Sequence, residues 1–285
     1  MKAMYKPVPK ENCRLFRVEK QESNTEFHYP WHYHPEFELT LIQKKSGIRY
    51  VGNNIENYFD HDLVLLGSNL PHTWINFEGQ EEFPKAVVIF FDQEFITWLN
   101  NDQFPGLVQL FKRSNFGIKF SKELALEVES KLLNLFELDN FEQCIVLMQV
   151  LKLLATTEDF RLLSQHGFSF DPNPTKSERI NAVYQFVSDN YTKKISLEDV
   201  AGYVNMSQEH FCRFFSKTMM KSFFTFLNEY RISRACKLLI ETDKQINEIC
   251  YISGFESIPF FYRQFKKFKN CQPNAYRVNY QKALL

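Results

Sequence analysis

Two stretches of this chain match each other at a fixed distance, and that repeat limits the fold more than any other feature. Ile195–Lys217 reads ISLEDVAGYVNMSQEHFCRFFSK, and Gln245–Lys267 reads QINEICYISGFESIPFFYRQFKK. Ser207 pairs with Ser257, Phe211 with Phe261, Arg213 with Arg263, Phe215 with Phe265 and Lys217 with Lys267. Every pair is 50 residues apart. Two copies are too few for a solenoid, so the pattern indicates a duplicated module. Each copy predicts a short helix (197–204; 246–252), a tight turn (Asn205-Met206; Gly254-Phe255-Glu256), a Ser N-cap and a second helix. Two short helices joined in this way form a helix-turn-helix.

In such a unit the start of the second helix enters the DNA major groove. With Phe211, Phe214 and Phe215 facing a core, Gln208, Glu209, Cys212 and Arg213 point outward behind Ser207. In the second copy Phe261 and Phe265 turn inward. Ser257, Ile258, Pro259, Tyr262 and Arg263 then form the outer surface. Arg213 and Arg263 each suit a paired hydrogen bond to a guanine edge, or a phosphate contact. Lys217, Lys266 and Lys267, with Lys221 and Lys269, suit phosphate or a solvated face. Between the copies Phe223–Ile240 is amphipathic, and a continuous helix there would hold both reading helices at a fixed separation.

Charge divides along the chain in the same sense. From Lys176 onward 17 Lys and Arg face 10 Asp and Glu, a net +7; the first 175 residues hold 17 against 24, a net −7. A basic half joined to an acidic half fits a nucleic-acid module attached to a second domain.

Residues 177–279 resemble the DNA-binding domain of the AraC/XylS family of transcription regulators. The stretches that carry the resemblance are LEDVAGYVNMSQEHFCRFFSK, LNEYRISRACKLL, INEICYISGFES, FFYRQFKK and PNAYR, in that order. The family usually has Gly after each recognition helix; Met220 and Asn270 stand there in this chain. Asn tolerates the left-handed conformation and Met does so poorly. Cys212 replaces the larger polar reader of many relatives. The resemblance implies double-stranded promoter DNA and RNA polymerase as partners.

The N-terminal part is patterned differently. FELTLIQ, IRYVG, DLVLLG and KAVVIFF are short strand-like runs, and their spacing over residues 1–95 predicts a small barrel or sandwich. A helical hairpin follows over 121–165. Ser121 is its N-cap, one helix carries Leu124, Val128, Leu132, Leu135 and Leu138, and a second runs from Phe141 to Leu163. The stripe of that second helix is Ile145, Met148, Leu151 and Leu154 with Val146 and Leu153 alongside. The hairpin suits packing on the strands or on a second copy. His166–Lys176, HGFSFDPNPTK, reads as the interdomain linker.

His32, His34 and Glu38 have HxH-x3-E spacing, and His72 lies in LGSNLPHTWIN. These segments resemble the two signature motifs of the cupin barrel. In metal-binding cupins the matching residues His32, His34, Glu38 and His72 are ligands, suited to Fe, Mn, Ni or Zn. The first motif's glycine is displaced, with Gly47 two positions late, and the second lacks its middle glycine. The segments also resemble the effector domain of AraC-type regulators, where such residues commonly occur without a metal. The favoured reading is therefore a small-molecule effector pocket with no cofactor, built from His32, His34, Glu38, Tyr50, His72 and Trp74. Trp31, Tyr33 and Phe37 supply further aromatic wall or core. A metal on the four ligand-type residues, or a purely structural role, stays open.

The expected fold is α+β and multidomain. A cupin-like β-barrel with a helical hairpin (1–165) is followed by a linker (166–176) and an all-α domain with two helix-turn-helix units (177–285). The expected function is a ligand-controlled transcription regulator, a homodimer through 121–165. The alternatives are a metal-dependent cupin enzyme carrying a DNA-binding domain, and a constitutive dimeric regulator. No nucleophile–base pattern, P-loop or dinucleotide fingerprint favours an enzyme. Six cysteines without CxxC pairing, no apolar span and no signal-peptide core point to the cytoplasm.

Overall fold

Alternation along the central strands explains the N-terminal unit. In Phe37–Lys44, Phe37, Leu39 and Leu41 point to one side of the sheet, and Glu38, Thr40 and Ile42 to the other. Both sides are buried from Phe37 to Ile42, and Glu38 and Thr40 are the buried polar residues of the second side. The computed structural model describes residues 4–5, 15–22, 31–44, 46–76, 85–99, 102–164 and 174–283. The chain divides into two compact units, in the main residues 3–170 and 171–285, with residues 1–2 and 55–57 grouped with the second.

The N-terminal unit contains strands β1 (Met4–Tyr5), β2 (Phe16–Glu22), β3 (His32–Tyr33), β4 (Phe37–Lys44), β5 (Gly47–Val51), β6 (Asn54–Tyr58), β7 (Asp62–Leu66), β8 (His72–Asn76) and β9 (Lys85–Phe91). Helices α1 (Gln93–Leu99) and α2 (Pro105–Ser114), strand β10 (Ile118–Phe120), helices α3 (Lys122–Asn134) and α4 (Asn140–Thr156), and strand β11 (Phe160–Leu162) complete it. The strands form two sheets. One has the order β1-β3-β8-β5-β6, and the other β11-β10-β7-β4-β9-β2. Gly47 is needed where β5 meets β8, because a Cβ there would lie 2.1 Å from the Ile75 carbonyl oxygen.

The outer face of the six-stranded sheet carries the larger core. Leu39, Leu41, Leu63, Leu65, Val87 and Ile89 meet Leu124, Val128, Leu132, Leu147, Val150, Leu151 and Leu154 of α3 and α4. The hairpin thus packs on the strands. Ser121 and Asp139 cap its two helices through Leu124 N–H and through Phe141 and Glu142 N–H. Three expectations for this segment are corrected. The second helix stops at Thr156 rather than Leu163, because 160–162 pair antiparallel with β10. Leu135 lies in a separate 3-10 turn, and Leu138 falls outside both helices. The buried face of α4 is Leu147, Val150, Leu151 and Leu154, which leaves Ile145 exposed and Phe141 74% exposed.

The C-terminal unit is all helical: α5 (Pro174–Asn190), α6 (Leu197–Tyr203), α7 (Gln208–Met219), α8 (Phe223–Glu241), α9 (Ile246–Ile252), α10 (Ile258–Lys269) and α11 (Pro273–Ala283). The expected linker lies outside the described residues up to position 173, and its last residues, 174–176, belong to α5. The long helix α8 is a shared wall. Its first half gives Phe223 and Phe226, whose rings pack edge-on against Phe215, with Phe211 also on Phe223. Its second half gives Ile232, Ala235, Cys236 and Leu239 to a core with Ile249, Cys250, Phe255, Phe261 and Phe265. Among the described residues no helix is long and apolar enough to cross a membrane.

Candidate nucleic-acid interface and buried histidine cluster

Helices α7 and α10 begin and end 50 residues apart, and so do α8 and α11 at their starts. Ser207 caps α7 by accepting from His210 N–H, and Ser257 caps α10 by accepting from Phe260 N–H. These caps fix the start of each helix, where a groove-reading surface must be rigid. Phe211 and Phe215, and likewise Phe261 and Phe265, are fully buried at successive turns. Phe214, expected in the core, is only half-buried.

The opposite faces are open. Ser207, Gln208, Glu209, Arg213 and Lys217 are exposed on α7, with Cys212 half-buried among them. On α10 Ser257, Pro259, Arg263, Lys266 and Lys267 are exposed, and Ile258 and Tyr262 half-buried. The Arg263 guanidinium lies 5.2 Å from the Phe260 ring centroid, which gives that fork a flat support. Both helices thus present a basic, polar strip with an arginine six residues after the N-cap and lysines further along. Cys236 and Cys250 contribute no chemistry, since burial pushes each thiol up to about 11.

Two arginines that the sequence reading left without this role hold the units in place. Arg231 donates from Nε to the Tyr191 carbonyl (2.8 Å) and from Nη2 to that of Lys193 (2.7 Å), just after α5. Arg277 donates to the Leu239 (3.0 Å), Thr242 (3.3 Å) and Lys244 (2.7 Å) carbonyls, at the end of α8. Each satisfies carbonyls that a helix end leaves open, and each steers the loop into the first helix of its pair. Their only signal in the sequence was an Arg on an amphipathic helix.

In the N-terminal unit the four ligand-type residues come together. His32 and His72 face each other across β3 and β8, Glu38 projects from β4 of the other sheet, and His34 lies between β3 and β4. All four are buried, and one donor atom from each lies within 4.8 Å of the others. His34 Nε2 is 3.0 Å, and His72 Nε2 3.3 Å, from the same oxygen, Glu38 Oε2. His72 Nε2 forms no aligned hydrogen bond despite that distance. Burial alone would raise the Glu38 carboxyl, but the field of His72 and the hydrogen bond with His34 outweigh it and hold it well below its usual range. Trp74 packs edge-on to His72 at 5.7 Å. Tyr50 sits opposite Thr73 on β8 and meets Trp31 edge-on, one strand position from the cluster.

Residues 200–279 match a family described as "Helix-turn-helix domain". Over 261 residues the chain is 22% identical to the "Uncharacterized HTH-type transcriptional regulator YdeC" of Bacillus subtilis (strain 168), covering 89% of this chain and 88% of that protein. A 98-residue stretch is 29% identical to the melibiose operon regulatory protein of Escherichia coli (strain K12), covering 34% of this chain and 32% of that protein. A similar stretch is 32% identical to the uncharacterized HTH-type transcriptional regulator SACOL0084 of Staphylococcus aureus (strain COL), but spans only 13% of that protein. Among solved structures, a transcriptional regulator with an AraC-type DNA-binding domain from Chromobacterium violaceum is 26% identical, with a TM-score of 0.35, covering 36% of this chain and 91% of that one.

Proposed function

We propose that this chain is a DNA-binding transcription regulator of the AraC/XylS family and that α7 and α10 are its two recognition helices. The observation that carries this reading is the paired geometry: two Ser-capped helices 50 residues apart, each burying two phenylalanines and exposing an Arg–Lys strip. Ser207, Gln208, Glu209, Cys212 and Arg213 of one, and Ser257, Ile258, Pro259, Tyr262 and Arg263 of the other, face DNA. Lys217, Lys266 and Lys267 contact phosphate. A DNA-binding regulator of this kind works in the cytoplasm, recruits or obstructs RNA polymerase, and needs no catalytic site.

The N-terminal unit is cupin-like in this reading and takes a small-molecule effector. Two facing sheets with a polar cluster between them support it. Control requires that the effector bind two conformations with different affinity. The dimer surface expected on 121–165 falls on α4, with α2 beside it. An apolar groove of about 580 Å³ lined by Phe104, Leu107, Phe141, Ile145 and Met148 supports that assignment, since an exposed patch of this kind commonly marks an interface.

Genome-wide mapping of DNA bound by the full chain tests the DNA reading. Enrichment at a few promoters, with affinity for those duplexes falling as salt rises, is the expected result. Uniform weak occupancy would contradict it.

A further inference from the structure

We infer that the two recognition helices read different kinds of base, and that Ile258 and Pro259 of α10 select thymine through its methyl group. This rests on the proposed role of α7 and α10 as reading helices and adds what each one reads.

Equivalent positions carry opposite chemistry. At the repeat offset Gln208 stands against Ile258, Glu209 against Pro259, and Arg213 against Arg263. On α7, Gln208 and Glu209 are both exposed. An amide there suits adenine, through N6 and N7, and a carboxylate suits the N4 amino group of cytosine. On α10 the same turn offers neither group. Pro259 is exposed, and Ile258 is half-buried, packed against the core that holds Phe261. Pro has no N–H, so one of the amides that a helix start leaves open is gone. The Ser257 hydroxyl oxygen is already engaged, accepting from Phe260 N–H. The first turn of α10 therefore presents hydrocarbon where that of α7 presents amide and carboxylate.

In the major groove one base carries a methyl group at its edge. Thymine shows its C5 methyl there, whereas guanine shows two acceptors, adenine an acceptor and a donor, and cytosine a donor. Covering a guanine or cytosine edge with Ile258 and Pro259 would take its polar groups out of water and give them no partner. Against thymine the same two side chains bury a methyl group and lose no hydrogen bond. Arg263 lies four residues beyond Pro259, about 6 Å along the helix axis. Base pairs are spaced about 3.4 Å apart, so that step spans one or two of them. The Phe260 ring, 5.2 Å from the Arg263 guanidinium, supports the fork in that position. The site under α10 is then a thymine one or two base pairs from a guanine. The site under α7 pairs a guanine with adenine or cytosine instead.

The test titrates the full chain against a mapped target duplex in which each thymine is replaced in turn by deoxyuridine. That exchange deletes the methyl group and leaves the pairing edge intact. One or two positions in one half of the target should lose about fourfold in affinity, the value of one buried methyl-sized group. The paired substitution Ile258→Gln and Pro259→Glu, which gives α10 the residues of α7, should bind thymine and deoxyuridine duplexes equally. Pro259→Ala, at an exposed position, should reduce the discrimination without disturbing the core. Gln208→Ala should leave it unchanged. No thymine whose methyl group matters to the wild-type chain would overturn the inference whatever the folding of the variants. So would full discrimination retained by both α10 variants. Either result leaves the preference for target over scrambled duplex in place; absence of that preference in the wild-type chain would overturn the DNA reading itself, and this inference with it.

Discussion

The two helix-turn-helix units share one scaffold and differ at its edges. Inside, they superimpose in sequence: Ser cap, two buried phenylalanines, and a left-handed residue at the exit. Around that frame they diverge. The second turn is one residue longer, since α6 and α9 start 49 residues apart while α7 and α10 start 50 apart. The first turn uses Asn205 at a φ of 54°, and the second Gly254 at 86°. There a Cβ would lie 2.1 Å from the Tyr191 carbonyl oxygen. The reading faces differ most, with Gln208, Glu209 and Cys212 against Ile258, Pro259 and Tyr262. Duplication has kept what folds the unit and varied what would touch bases. The two units are therefore expected to contribute unequally to DNA sequence choice, though equally to their own stability.

The largest effects should come from the shared interior. Phe211→Ala and Phe261→Ala each remove a fully buried ring, and each should cost about 3–5 kcal/mol in denaturant unfolding of the C-terminal unit. Losses differing by more than about 2 kcal/mol would show that the two cores are not equivalent. Removing the caps should cost less. Ser207→Ala should lose about 1 kcal/mol, and Ser257→Ala less, because its Oγ stands 3.5 Å from the Phe260 nitrogen against 3.3 Å from that of His210 for Ser207. The reverse ranking in thermal melts would break the argument from cap geometry. The smallest effects should come from the exits. Met220 and Asn270 both adopt left-handed backbone, at φ of 52° and 56°. Met220→Gly should stabilise by about 0.5–1 kcal/mol, the strain relieved less the entropy that Gly adds to the unfolded chain. Asn270→Gly should change stability by no more than a few tenths, since Asn tolerates this conformation. Equal shifts in melting temperature would show that the Met exit carries no extra strain.

The same contrast explains what was legible in the chain. The C-terminal unit could be read closely, because its helices are local, capped by Ser and periodic. Even the awkward exit residue, Met220 where a left-handed conformation favours Gly, is legible there. The N-terminal unit was harder. In α4 apolar residues occur on nearly every side, so periodicity did not show which face is buried, and Ile145 was placed inward when Leu147 and Val150 are. Phe160–Leu162 looked like more of that helix; only pairing with β10 makes it a strand. FRVEKQE of β2 carries four charged residues, which mask a strand that pairs along its whole length with β9. Helices α1 and α2 carry start signals, Asp92 accepting from Glu94 N–H before α1 and Pro105 opening α2, but at 7 and 10 residues they are too short for a clear periodicity. The histidine cluster was half visible. Spacing joined His32, His34 and Glu38, but His72 arrives through antiparallel pairing across a sheet, and the orienting carbonyls of Glu36 and Leu70 have no sequence signal.

The claim that both units read DNA is tested most directly by affinity measurements on the full chain. A mapped target duplex and a scrambled one would each be titrated against wild type, Arg213→Ala, Arg263→Ala and the double variant. Each single substitution should weaken target binding by about 1–3 kcal/mol, roughly five- to 150-fold, with a smaller loss on scrambled DNA. Equal losses on both duplexes would mean that Arg213 and Arg263 contact only phosphate, and would contradict base reading by α7 and α10.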